Sequence, residues 1–378
     1  MIKFLVEIIL SFWAILFGRI FRNNDLVVVV NCHNNFTGNC KYAVMEIQKK
    51  FPNKKIVWGV ETPQQQKSFK NNTNIKVYLI SEINFKFYIT FAKYVLSDGG
   101  FIGKLLVNGC TFVDFNHGIN LKKIGYDALE EKMSIVKKIR NYFNRNNFIQ
   151  SGGSLHDATV TANAWRLNSE MIKPLGTPSI SPLVNKKVLQ QEINKDQQLK
   201  KVQNETKKYT KTFLYAPTYR DSGSYFLKNL NFDIKKLNQI CKNKNVLFLI
   251  KMHPLCSLNI KEQYGNVKIL DKTYDGVLCV GLSDVIISDY SSMYHHGLVA
   301  NKELILMHGD LNDYINNNRD IYTEELEKIK GHKINNFDDL CDMIDKNTKI
   351  RKAPEKTKDL YFDKANVENP YRFLKVFK

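Results

Sequence analysis

Two adjacent serines after a short apolar run are the first chemical signal in this chain. The stretch Ser288-Asp289-Tyr290-Ser291-Ser292 follows the apolar residues 285–287 and precedes a helical pattern over 293–300. A strand that turns directly into a helix leaves backbone N–H groups unpaired at the helix start, where the helix dipole adds partial positive charge. Paired hydroxyls beside those N–H groups suit a phosphate-like anion. The ordinary alternative is a helix cap, with Ser291 or Ser292 satisfying the first turn and nothing more.

Four further polar motifs stand at the ends of apolar runs. His117, with Gly118 after it, follows a strand expected over 111–115. Its imidazole titrates near neutrality and can take a proton from an attacking hydroxyl, although a lone histidine is more often structural. Arg220, in Pro217-Thr218-Tyr219-Arg220-Asp221, offers a planar fork to a phosphate or an ion pair to Asp221 or another carboxylate. His253, in Met252-His253-Pro254, can donate to a phosphate oxygen and, when protonated, neutralise a leaving group; the alternative is again structural. Arg319, in the stretch that runs from Asp310 to Tyr322, is a second phosphate ligand or a surface pair. One histidine thus lies in the first half, and one histidine, two arginines and a serine pair lie in the second. That distribution would hold a diphosphate at one wall and activate a hydroxyl at the other. No carboxylate cluster suited to magnesium is evident, so no metal and no cofactor is expected.

Apolar, largely β-branched runs over 26–30, 55–60, 75–79, 94–96 and 111–115 read as strands of a parallel sheet. After a polar, lysine-rich stretch the alternation restarts, with strands over 213–216, 246–251, 267–270, 285–288 and 303–307. The pattern predicts an α/β protein of two Rossmann-like domains facing a cleft, with ligands beyond the carboxyl ends of the strands. The expected boundaries are an acceptor domain over 25–184, a linker over 185–211, a nucleotide-donor domain over 212–350 and a C-terminal helix over 351–378. The linker stretch reads equally well as a surface helix of either domain.

Lysine and arginine total 56 against 37 acidic residues, a net charge of +19 over 378 residues, which implies an anionic partner. No zinc-finger spacing, RNP-like motif or dinucleotide glycine fingerprint is present, so nucleic acid is not expected. The seven cysteines are scattered with no C-x-x-C pair, which fits a reducing, cytoplasmic setting. Residues 4–17 are almost wholly apolar and are flanked by Lys3, Arg19 and Arg22. Fourteen residues fall short of the roughly 20 that a span needs, so a helix over 1–24 is expected to lie in an anionic membrane surface. A true span, a buried helix and a signal peptide are the alternatives.

These motifs, in this order, resemble the CDP-glycerol glycerophosphotransferase family of teichoic-acid and capsule polyol-phosphate transferases. The resemblance rests on His117-Gly118, the run from Tyr215 to Asp221, His253-Pro254, Ser288 to Ser292 and Asp310 to Tyr322. It implies a GT-B architecture with the nucleotide on the second domain. It implies His117 as general base and His253 as a second catalytic group at the leaving phosphate. Arg220, Ser291, Ser292 and Arg319 would hold the donor diphosphate, with Thr218, Asp289 and Asp310 as neighbours. The implied reaction transfers a polyol phosphate from CDP-glycerol or CDP-ribitol to a hydroxyl of a lipid-linked or anionic polymer acceptor, releasing CMP. Family members act as peripheral proteins on the cytoplasmic face of the membrane. The chain reads as a divergent member: Ile119-Asn120 replaces the usual Thr-Pro, the turn at Gly176 to Ser181 lacks its arginine and aspartate, and His296 stands where an aspartate is usual. The competing readings are a GT-B glycosyltransferase that uses a nucleotide sugar, and a polymer-binding protein with a decayed site.

Overall fold

The computed structural model describes residue 9 and residues 16–17, 20–31, 36–69, 74–99, 109–128, 134–144, 147–220, 226–252, 264–271 and 273–377. Two compact units account for them. The first comprises Met1–Ile119, Ile124–Ser179 and Tyr361–Lys378, and the second Asn120–Lys123 and Ile180–Leu360.

In the first unit the strands are β1 (Asn23–Val30), β2 (Lys55–Val60), β3 (Ile75–Leu79), β4 (Ala92–Ser97), β5 (Thr111–Asp114), β6 (Phe148–Ser151) and β7 (Ile172–Lys173). Among the described residues they form one parallel sheet in the order β3-β2-β1-β4-β5-β6-β7. β1 is central because Val27, Val28, Val29 and Val30 bury both faces at once. The helix Gly38–Lys50 lays Cys40, Ala43, Val44 and Ile47, spaced for one helical stripe, on the face that carries Val27 and Val29. Phe85 and Ile89 of the helix Ile83–Phe91 cover the face that carries Val28 and Val30. The last residues return to this unit: Phe373 packs edge-on against Phe115 at 5.0 Å, and Phe377 stacks on Tyr94 at 4.2 Å. In place of the single helix expected over 351–378, the chain forms the short pieces Glu355–Tyr361, Lys364–Glu368 and Arg372–Phe377. Its aromatic residues are core material rather than the stripe of a surface helix.

The second unit contains β8 (Lys211–Tyr215), β9 (Val246–Lys251), β10 (Val267–Leu270), β11 (Val285–Ser288), β12 (Glu303–Met307) and β13 (His332–Ile334), parallel in the order β10-β9-β8-β11-β12-β13. The stretch read as a linker over 185–211 belongs to this unit. It forms the helices Lys186–Lys195 and Gln197–Thr206, capped by the side chains of Asn185 and Asp196. Ile193, Leu199 and Val202 are buried there, and so few apolar residues among lysines hide the helical period. β6, β7 and β13 were not anticipated. They are two to four residues long, too short for a pattern to emerge.

The expected helix over 1–24 falls for the most part outside the described residues, and Asn23 and Asn24 already belong to β1. Among the described residues no helix is long and apolar enough to cross a membrane.

His295 and His296, on the helix Met293–Val299, are buried at 1% and 9% exposure. Burial, with the charge of His296 adding to it, pushes His295 down to about 3. Burial pushes His296 down to about 4, with Asp275 opposing. In the unfolded chain both titrate near about 6.5, so between those values the unfolded state binds more protons. Their contribution is therefore complete above about pH 6.5 and is lost as pH falls toward 4 and then 3. Calorimetric melting should show Tm steady above about pH 7 and declining from about pH 6.5, above the ordinary carboxylate range. A constant Tm between about pH 7.5 and about pH 5 would contradict this.

Candidate active site

In the second sheet β8 and β11 are neighbours from which the strand order runs outward in opposite directions. Such a reversal opens a crevice at the carboxyl ends, because the connections leave to opposite sides. Thr218 and Arg220 follow β8, Asp289 follows β11, and Asp310 follows β12. The Arg220 guanidinium binds both carboxylates. Its Nε and Nη2 donate to Asp310 Oδ2 at 2.9 and 2.6 Å, and its Nη1 donates to Asp289 Oδ2 at 2.6 Å and to the Thr218 carbonyl at 2.8 Å. Thr218 donates its backbone N–H and its hydroxyl to Asp289, and the Tyr290 hydroxyl donates to Asp310 Oδ1 at 2.9 Å. The rings of Tyr290 and Tyr314 flank the guanidinium, which is 1% exposed. Burial alone would raise the Asp289 carboxyl, but Arg220 and the Thr218 bonds hold it below the ordinary carboxylate range.

This geometry gives Arg220 to two carboxylates of neighbouring loops, and Thr218, Asp289 and Asp310 to the same network. Ser291 and Ser292 are half-buried. Ser291 Oγ accepts from the Met293 N–H at 3.3 Å, whereas Ser292 immediately precedes the helix without a side-chain cap bond. Arg319 is half-buried, and among the described residues no carboxylate pairs with it. His253, Pro254 and Asp221 lie outside the described residues.

The sequence reading missed Lys122. The segment Asn120–Lys123 belongs to the second unit, where Lys122 pairs antiparallel with Ile321. Lys123 bonds Asp320 twice, its N–H to the carbonyl at 2.9 Å and its Nζ to the carboxylate at 2.8 Å. Burial lowers the Lys122 ammonium; Asp289 opposes that shift, while Arg319 and Arg220 add to it. Two adjacent lysines are alike in type, and only the cross-strand pairing separates them.

In the first unit His117 is exposed at the end of β5. The residue before it, Asn116, is buried with φ 55°, a left-handed conformation that asparagine tolerates. Its side chain clasps the loop: Oδ1 accepts from the His117 N–H at 2.8 Å, and Nδ2 donates to the Gly118 carbonyl at 2.7 Å. Asn39 donates to the Asn116 carbonyl at 2.7 Å and accepts from the Ser179 N–H at 2.9 Å. Both asparagines therefore position the backbone of His117, and neither announces that role by its type.

Replacing Arg220 with Met leaves two buried carboxylates without their cation, an expected loss of about 3–5 kcal/mol in urea unfolding. An unchanged unfolding midpoint would show that the guanidinium does not hold these loops together.

Three known proteins are similar to this chain. The teichoic acid glycerol-phosphate transferase of Staphylococcus aureus (strain NCTC 8325 / PS 47) is 23% identical over 338 residues, 85% of this chain and 84% of that one. The teichoic acid ribitol-phosphate polymerase TarL of the same strain is 30% identical over 198 residues, 50% of this chain and 34% of that one. The chain thus spans about a third of the length of the ribitol-phosphate polymerases it matches. The fold is similar to that of the wall teichoic acid polymerase TagF, with a TM-score of 0.68 at 18% identity over 96% of this chain and 87% of that one. A family model described as CDP-glycerol:poly(glycerophosphate) glycerophosphotransferase matches residues 12–369, and the chain belongs to that family.

Proposed function

We propose that this protein transfers glycerol phosphate or ribitol phosphate from a CDP-polyol to a hydroxyl of a lipid-linked or polymer acceptor, in the synthesis of a teichoic-acid-like or capsular polymer. In this reading the two units are the halves of a GT-B enzyme. The observation that carries it is the frame of Arg220, Asp289 and Asp310 at the reversal point of the second sheet, beside an arginine, Arg319, that has no carboxylate partner among the described residues. A cation that no described carboxylate neutralises, beside a crevice, suits an anionic ligand.

The chemistry follows from the residue types. His117 takes the proton of the acceptor hydroxyl. The oxygen attacks the phosphorus that carries the polyol, a new P–O bond forms, and the P–O bond to CMP breaks. The electron pair leaves with CMP, whose phosphate gathers negative charge. Arg319, Ser291 and Ser292 are the proposed ligands of that diphosphate, with His253 beside the leaving phosphate as the family resemblance implies. Arg220 serves as the positioning residue that keeps the loops of Thr218, Asp289 and Asp310 together.

The membrane surface is the proposed setting, on its cytoplasmic face. The helix Ile135–Asn144 presents Ile135, Ile139 and Tyr142 on one stripe at 77, 42 and 59% exposure, with Lys137 and Lys138 also exposed. Ile83 and Phe87 form a second exposed apolar pair in the same unit, at 53 and 49%. Apolar stripes beside lysines suit an anionic lipid interface.

Purified protein given CDP-glycerol or CDP-ribitol with a polyol-phosphate polymer acceptor should release CMP. His117→Ala should lower kcat about 10²–10⁴-fold while leaving the donor Kd within about twofold, and a collapse of donor binding would contradict the base assignment. Ile139→Glu should weaken flotation with phosphatidylglycerol vesicles, and full retention would remove this helix from the membrane contact.

A further inference from the structure

Lys122 and Lys123 are neighbours in sequence with opposite surroundings. In an antiparallel pair, directly opposed residues share one face and successive residues alternate. Lys122 opposes Ile321, which is 1% exposed and clusters with Tyr290 and Tyr314, the two rings that flank Arg220. Lys123 therefore belongs to the other face, where Asp320 neutralises it at 2.8 Å. Among the described residues neither Lys122 nor Arg319 has a carboxylate within ion-pair reach, although the two cations act on each other.

Holding two like charges together while half-burying one of them is unfavourable unless an anion joins them. Asp289 is close enough to act on Lys122, but Arg220 already engages its carboxylate at 2.6 Å. The ordinary role for such a lysine is packing, with the aliphatic stem covering Ile321 and the ammonium reaching water. That role gives no reason for a second unpaired cation beside it.

We propose that Lys122, together with Arg319, grips the diphosphate of the donor. The inference rests on the donor reading above and adds to it a ligand from the segment that also carries His117. A compact ammonium contributes point charge to oxygens that a planar fork cannot all reach.

The test is titration calorimetry on the full chain with CDP-glycerol, CDP-ribitol, CMP and cytidine, at two salt concentrations. Lys122→Met should raise the Kd for the CDP-polyol about tenfold or more, with a smaller effect on CMP and none on cytidine. It should also flatten the salt dependence, and Lys122→Arg should restore most of the affinity. An unchanged Kd in a Lys122→Met protein that melts like wild type would overturn the proposal. Inorganic pyrophosphate separates the two readings. If the wild-type protein binds pyrophosphate but no CDP-polyol, and Lys122→Met loses the pyrophosphate, the grip stands and the donor reading fails. If the wild-type protein binds neither, the grip fails as well.

Discussion

The buried guanidinium of Arg220, held between the carboxylates of Asp289 and Asp310, is the interaction on which the second unit's carboxyl edge depends. It joins loops that follow three adjacent strands, β8, β11 and β12. Charges this deeply buried persist only with their hydrogen bonds complete, and here Thr218, Tyr290 and the Thr218 carbonyl complete them. One cation against two carboxylates leaves the frame with a net negative charge. Lys122 and Arg319, which no described carboxylate pairs, stand around it, so the edge carries charge of both signs.

The parallel sheets explain why polar loops collect where they do. Every strand of a parallel sheet ends at the same edge, so the loops after β8, β11 and β12 are neighbours although more than ninety positions separate Thr218 from Asp310 in the chain. In the first unit the same rule sets His117 beyond β5, and there asparagines do the positioning. Asn116 takes a backbone conformation that most side chains avoid, and Asn39 fixes its carbonyl from a helix start. The two edges thus use different devices: ion pairs in the second unit, amide bonds in the first.

Much of the fold was legible because buried parallel strands are written as short β-branched runs. β2, β3, β9, β10, β11 and β12 run over the residues expected of them; β1 and β4 extend the expected ranges, β5 stops one residue short, and β8 begins two residues early and ends one early. The strands that escaped notice, β6, β7 and β13, carry two to four residues each and include polar ones such as Gln150, Lys173 and Lys333. The role of the tail was hidden for a different reason. Phe373 and Phe377 are spaced like the stripe of a surface helix, and nothing local says which core receives them.

The sequence by itself determined the residue types at the edge, a histidine after β5 and arginines and serines after β8, β11 and beyond, because chemistry of that kind needs those side chains. It also set the order of the strands that bring them to one edge. Only the tertiary structure decided how each charge is spent. Arg220 faced two readings, phosphate ligand or ion pair, and partners distant in sequence chose the pair for it. Lys122 and Lys123 are identical in type and adjacent in the chain, yet the pairing with Ile321 and Asp320 sends them to opposite faces. A charge takes its role from what neutralises it, and that neighbour is fixed by packing.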